Sequence, residues 1–406
     1  MRVIHITPYF PPHVGGTETL VAEIAKWQAR IGHDVLICTS RCPKSAPAHE
    51  VTTDGVEVAR LKALEVLERP LCLGIARFLG EQEHPDVINL WTPFPLTDVL
   101  TMRYAHGHGI PLVTTYVMDA IMEKLFGIGL LGAAATRAYN TFQIRHVVMR
   151  SDLVVTLNRT YYRKSPYLSR LPEEIVRTVL QGTDTERFHP FHGTYGELAD
   201  IRNKGGVVFL ALGRLVPYKG IPYLIRAFKK LADKYDNVHL AVAGRGQLKD
   251  TLVSLVRRLN LTERVAFLGF VPDDDLPNLM NTADVIVSSA INDLENVPIA
   301  VLDGMACGKP VIVTDVGGAR DQVKDGVVGL LVKPKSVDAL SSAMERLLRN
   351  EEERRAFGDA ARRYAETISW KKIAEMALSV YAEVVGHRDK SPDSITRREM
   401  QRLPKG

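Results

Sequence analysis

The sequence predicts an α/β protein made of two doubly wound units in tandem. Short apolar runs alternate with longer amphipathic stretches along most of the 406 residues, and a loop-rich interval at residues 181–206 interrupts the alternation before it restarts. Strands that are apolar throughout and separated by helices belong to a parallel sheet covered on both faces. The length also exceeds what one hydrophobic core serves, so two domains are expected.

In the first half, residues 3–6, 35–39, 87–90, 112–115 and 153–156 read as strands, with a helix over 20–31. In the second half, residues 207–212, 238–243, 265–268, 285–288 and 310–314 read as strands, each followed by a turn and a helix-like stretch. Residues 370–385 read as one amphipathic helix opened by Trp370. Residues 387–406 are polar and basic with two prolines, and this tail is expected to be poorly ordered.

Apolar residues at 46% and charged residues at 24% are ordinary for a globular protein. The 52 basic and 47 acidic residues leave a formal charge of +5. That excess is too small to argue for nucleic acid and is compatible with an anionic substrate or a membrane surface. Cys38, Cys42, Cys72 and Cys307 do not form a pair of metal-ligand pairs, and no metal site is expected. So few cysteines point to a reducing compartment. The start of the chain reads as a strand rather than a signal peptide, and no apolar run is long enough to span a bilayer. The expected location is cytoplasmic.

Doubly wound sheets bind ligands beyond the carboxyl ends of their strands, and three such segments carry chemistry. In Pro11-Pro12-His13-Val14-Gly15-Gly16-Thr17-Glu18, Gly15 and Gly16 let backbone approach a ligand, and the following helix N-terminus favours an anion. An ordinary strand-to-helix turn is the other reading. Gly213-Arg214-Leu215 with Lys219-Gly220 follows an apolar strand. There Arg214 can fork onto phosphate oxygens and Lys219 adds a compact charge, whereas surface cations usually mean only a solvated face. The third segment runs from Glu295 through Val297, Pro298 and Ile299 to Asp303. Pro298 suits a first helical turn, amides near Val297 to Ile299 can cradle phosphate, and the carboxylates can accept hydroxyl hydrogens. A capping carboxylate on an ordinary helix is the alternative.

Together these segments resemble the GT-B glycosyltransferases of family 4, the group 1 glycosyltransferases. The resemblance runs from residue 1 to about Tyr381. It also takes in Gly32-His33-Asp34-Val35, Gln181-Gly182-Thr183-Asp184, Ala243-Gly244-Arg245-Gly246 and Met305-Ala306-Cys307-Gly308. It implies two Rossmann-like domains facing across a cleft: an acceptor-side domain over 1–185, completed by a helix over 370–386, and a donor-binding domain over 186–369. Arg214 and Lys219 match the family's diphosphate binders, and Glu295 matches the carboxylate on the transferred sugar. Asp303 stands where a ribose-contacting glutamate is usual, one methylene shorter. Base recognition falls near Phe270-Val271-Pro272.

The first domain departs from the pattern. Where relatives often read Thr-Tyr-His-x-Asp, this chain has Thr115-Tyr116-Val117-Met118-Asp119. Asp119 keeps the carboxylate and is carried over as catalytic, while Val117 fills the histidine slot. Asn89 and Trp91 also stand where relatives frequently have histidines. The resemblance implies retaining, metal-independent transfer from a UDP- or GDP-linked sugar, with no other cofactor, to a saccharide, lipid-linked or small-molecule acceptor. A catalytically silent sugar-nucleotide-binding protein and a sugar-nucleotide epimerase are the alternatives. The apolar stretch 127–135 beside Arg137, Arg145, His146 and Arg150 leaves two readings open. One is a helix on the sheet with a mobile acceptor loop, and the other is peripheral contact with anionic lipid.

Overall fold

The computed structural model describes residues 1–13, 15–66, 69–119, 130–293, 295 and 298–389. The expected tail beyond residue 389, the apolar stretch over 127–129 and Val297 lie outside the described residues. The chain divides into two compact units. One comprises Met1–Leu157, Ser165–Val179 and the chain from Ala374, and the other Asn158–Lys164 and Leu180–Ile373.

The first unit contains β1 (Arg2–Thr7), β2 (Asp34–Ser40), β3 (His49–Val51), β4 (Glu57–Leu61), β5 (Leu64–Val66), β6 (Arg69–Leu71), β7 (Val87–Thr92), β8 (Leu112–Tyr116), β9 (Leu153–Thr156) and β10 (Val176–Thr178). Eight of them form one sheet in the order β10-β9-β8-β7-β1-β2-β4-β3, and β5 and β6 pair as a separate hairpin. The strands expected from their apolar runs are parallel: Ile4 of β1 registers with Leu36 of β2 on one side and Ile88 of β7 on the other. β3 breaks the rule by running antiparallel to β4. It is a three-residue edge strand with exposed ends, which explains why periodicity did not reveal it.

A buried polar network fixes the middle of this sheet. His5 Nε2 lies 2.8 Å from Gln28 Oε1, while its Nδ1 accepts from Trp91 Nε1 at 3.2 Å. The network thus assigns the neutral tautomer with hydrogen on Nε2, and burial pushes the ring's pKa down to about 4. Asn89 Nδ2 donates to the Tyr381 hydroxyl at 2.6 Å, and Thr115 donates to Asn89 Oδ1 at 2.8 Å. The helix Trp370–Asp389, whose residues from Ala374 belong to the first unit, is thereby tied to β7. The helix Leu130–His146 buries Asn140, Gln143 and Ile144 and exposes Arg137, Phe142 and Arg145. Among the described residues no helix is long and apolar enough to cross a membrane.

The second unit has β11 (Val207–Leu212), β12 (Val238–Ala243), β13 (Val265–Gly269), β14 (Val285–Ser288), β15 (Val311–Thr314) and β16 (Gly329–Val332), in the order β13-β12-β11-β14-β15-β16. All its pairings are parallel. Phe209, Phe228, Leu240 and Met344 are wholly buried in its core. The loop-rich interval before it contains the helix Gly196–Asn203. Strand order reverses between β11 and β14 here, and between β1 and β7 in the first unit. A crevice forms where neighbouring strands send their connections to opposite faces.

Asp98, on the helix Thr97–Gly107, accepts from Gln143 Nε2 at 3.1 Å. Burial pushes its carboxyl up to about 7, against ~3.9 in an unfolded chain. Between those values the folded protein keeps a proton that the unfolded chain has lost. The group's contribution is therefore full below about pH 4 and is lost as pH rises through about 7. Relative to wild type, Asp98→Asn should gain ~2–3 kcal/mol of unfolding free energy between about pH 5 and about pH 8. Urea titrations at both pH values measure this, and parallel behaviour of the two proteins would contradict it.

Candidate functional site

The carboxyl ends of β11 and β14 carry most of the expected site. Beyond β11 come Arg214 and a single 3₁₀ turn, Pro217–Lys219, which Gly220 ends at φ +64°. A Cβ on Gly220 would lie 2.0 Å from the Ser289 carbonyl oxygen, so glycine is required both for the dihedral and for the contact. Two hydrogen bonds join this loop to the one after β14. The Ile291 amide donates to the Tyr218 carbonyl at 2.8 Å, and the Ser289 hydroxyl donates to the Lys219 carbonyl at 2.9 Å. Gly244, at φ +133°, brings in the loop after β12, since its Cβ would fall 1.9 Å from the Gly213 carbonyl oxygen.

This backbone arrangement places Lys219 Nζ 2.5 Å from Glu295 Oε2, with the side chains only 16% and 11% exposed. Arg214 is exposed, and its guanidinium donates to the Tyr218 hydroxyl at 2.9 Å. The Tyr218 ring centroid lies 5.8 Å from Lys219 Nζ. Tyr218 thus steadies both cations, one by hydrogen bond and the other through its π face, a role nothing in the sequence singled out. A niche of about 20 Å³ beneath Arg214 and Lys219 holds about one water, so the site is an open notch rather than a cavity.

The remaining donor-side candidates are placed differently. Val271 is buried just past β13, while its neighbour Phe270 is exposed, with the Arg245 guanidinium 5.0 Å from its ring centroid. Pro298 is the N-cap of the helix Ile299–Ala306 rather than part of its first turn. Because proline carries no N–H, the helix offers Ile299 and the next residue as its first donors. Asp303 is buried, and the Thr183 hydroxyl donates to its Oδ1 at 2.7 Å. Thr183 in turn pairs through its backbone with Ile368 and Trp370, so Asp303 anchors the Gln181-Gly182-Thr183-Asp184 segment.

In the first unit, Gly15 is extended and N-caps the helix Gly16–Arg30. Its Cβ would fall 2.3 Å from the Glu18 carboxylate, whereas Gly16 meets nothing within 4 Å. A Cβ on Gly15 would have to displace the Glu18 carboxylate from this position, while Gly16 has open space beside it. Asp119 accepts from the Tyr116 hydroxyl at 2.8 Å and from Ser165 at 3.0 Å, which braces the end of β8. Val117 lines a pocket of about 170 Å³ with Tyr9, His13, Glu18, Trp91 and Met118. Asn89 is wholly buried in the His5 network.

Removing the Tyr218 hydroxyl should loosen Arg214 without disturbing the core. Tyr218→Phe is expected to weaken binding of UDP or GDP by roughly 3- to 10-fold, the ~0.5–1.5 kcal/mol of one hydrogen bond, with an unchanged unfolding midpoint. Calorimetric titration measures the affinity, and unaltered affinity would contradict the role.

Known proteins place this geometry in a family. The sequence profile described as "Glycosyl transferases group 1" matches residues 199–364, and that described as "Glycosyl transferase 4-like domain" matches residues 15–180. The GDP-mannose-dependent alpha-(1-6)-phosphatidylinositol monomannoside mannosyltransferase of Mycolicibacterium smegmatis is 28% identical, over 91% of this chain and 97% of that protein. Among solved structures, sucrose-phosphate synthase from Thermosynechococcus elongatus superposes with a TM-score of 0.73 at 19% identity, covering 95% of this chain and 99% of that one. HepE of Anabaena, in complex with UDP, gives 0.72 at 20% identity, covering 94% and 100%. With two Rossmann-like α/β units of the GT-B type and both family profiles matched in order along its length, this chain belongs to the group 1 glycosyltransferases.

Proposed function

We propose that the protein transfers a hexose-type sugar from a UDP- or GDP-linked donor to a saccharide, lipid-linked or small-molecule acceptor, with retention and without a metal ion. The observation that carries this reading is the Lys219–Glu295 pair beside Arg214 at the strand-order reversal. A leaving nucleoside diphosphate brings negative charge, and a transferred sugar brings hydroxyl groups. Lys219 and Arg214 meet the first requirement and Glu295 the second, while the Ile299 amide adds a donor at a helix N-terminus. As the acceptor oxygen bonds to the anomeric carbon, the carbon–oxygen bond to phosphate breaks. Its electron pair leaves on the diphosphate, and the acceptor's proton passes to the released phosphate or to solvent. The relative named for GDP-mannose and the neighbour solved with UDP support a nucleotide-sugar donor.

With the Lys219 and Arg214 cations both at the notch, side chains can take the leaving charge. Turnover should survive EDTA within about twofold. Loss of activity that manganese restores would contradict metal independence.

Before a ligand arrives, Lys219 and Glu295 neutralise each other, and the donor must take both. Glu295→Gln leaves a largely buried ammonium without its counter-charge, which destabilises the unliganded protein by ~3–5 kcal/mol. The freed Lys219 should bind UDP or GDP at least as tightly as wild type. Sugar transfer should fall roughly 10- to 100-fold, the ~1.5–3 kcal/mol of one charged hydrogen bond to the sugar. Calorimetry and a nucleotide-release assay read the two effects separately. Weakened nucleotide binding with undiminished turnover would overturn the assignment, and wild-type binding without turnover would favour the silent reading.

A further inference from the structure

The first-unit pocket contains an acid–base pair that the donor site does not use. His13 Nδ1 lies 2.8 Å from Glu18 Oε1, and the Glu18 side chain is 9% exposed. A carboxylate only accepts, so Nδ1 carries a hydrogen, and in the neutral ring Nε2 is the nitrogen with the lone pair. The imidazole is also stacked on Tyr9, with centroids 4.2 Å and planes 12° apart. Tautomer and ring plane are thus both set, by a carboxylate on one edge and an aromatic face on the other. Among the described residues Nε2 meets no hydrogen-bond partner. The Glu18 carboxylate reaches this position because residue 15 has no Cβ to block it.

The pocket's other linings say what it accepts. Trp91, Pro93, Val117 and Met118 supply apolar and aromatic surface, and the partly exposed Thr17 adds a hydroxyl-bearing side chain. Among the described residues that line it there is no lysine or arginine, and there is Glu18. A phosphorylated ligand would find no cation there and one carboxylate. A volume of about 170 Å³ is close to the ~150 Å³ of an engineered cavity that takes benzene, suited to one ring rather than a nucleotide. Alternating apolar faces and hydroxyl edges are the surface of a cyclic polyol.

We propose that His13, oriented by Glu18 and Tyr9, holds the hydroxyl of a neutral one-ring polyol acceptor in this pocket, Nε2 accepting its hydrogen bond where Val117 has none to offer. This rests on the transfer reading above and adds the residue and the acceptor class to it. His13 touches the substrate; Glu18 is a positioning residue.

The test measures nucleoside diphosphate release from UDP- and GDP-sugars, first with water as acceptor and then with a panel of neutral hexosides and cyclitols and their phosphate monoesters. His13→Ala should lower release at least tenfold, leave UDP and GDP affinity within about twofold, and leave the unfolding midpoint unchanged. Glu18→Gln, which can still accept from Nδ1, should retain most activity, and Glu18→Ala should fall as His13→Ala does. At least one neutral ring should accelerate wild-type release, and its phosphate ester should not. If wild type binds neither nucleotide, the donor-site reading fails and this inference with it. If nucleotide binding is intact but His13→Ala releases product at the wild-type rate, the His13 assignment alone is overturned. Acceleration by the phosphate esters, or by no neutral ring, overturns the acceptor class.

Discussion

The ion pair between Lys219 and Glu295 is the constraint around which the second unit is arranged. A lysine and a glutamate held 2.5 Å apart and mostly out of water persist only where backbone fixes both partners, because lost hydration opposes their attraction. The surrounding sequence supplies that fixing. Gly220 turns the chain and lies flush on Ser289, Gly244 lets the next loop close in, and Ser289 and Ile291 hydrogen-bond the lysine's own turn. Each of these contacts is backbone-to-backbone or nearly so. They hold two opposite charges where, on the proposed reading, an anionic diphosphate and a polyhydroxylated sugar replace the bond between them.

Much of this was legible before any coordinates. The parallel strands announce themselves as apolar runs because both faces of such a sheet are covered, and β9, β11, β12 and β14 fall on the expected residues. Arg214 and Lys219 stand out because they follow a buried strand between Gly213 and Gly220, and Glu295 because it lies in the loop before Pro298 and a helix start. Strands β3, β5, β6 and β10 were not, since three residues with partly exposed or unassigned faces carry no period. β16 was overlooked although Gly329-Leu330-Leu331-Val332 is an apolar run.

Some contacts were unreadable because they depend on how the chain folds back on itself. The Thr183 hydroxyl that engages Asp303 lies 120 positions earlier, and Tyr218, only four residues from Arg214, matters once the guanidinium folds onto its hydroxyl. Asn89 and Trp91 stand out in sequence as departures from histidine. Folded, they join His5, Gln28 and Tyr381 in an interior hydrogen-bonded network. Buried polar groups bonded to one another favour a particular core arrangement, and here they fix the strands that frame the first-unit pocket. Gly15 carries two readings in sequence, an approach for a ligand and an ordinary strand-to-helix turn, and in the fold the Glu18 carboxylate occupies the space a Cβ there would need.

The central claim is that the charges of the Lys219–Glu295 pair separate onto the two halves of a sugar nucleotide. A structure of the wild-type protein with a bound UDP- or GDP-sugar tests it most directly. The account predicts Lys219 Nζ at ~2.7–2.9 Å from a phosphate oxygen, with Glu295 turned to a hydroxyl of the sugar. A diphosphate bound elsewhere, with the Lys219–Glu295 pair still closed, would contradict it.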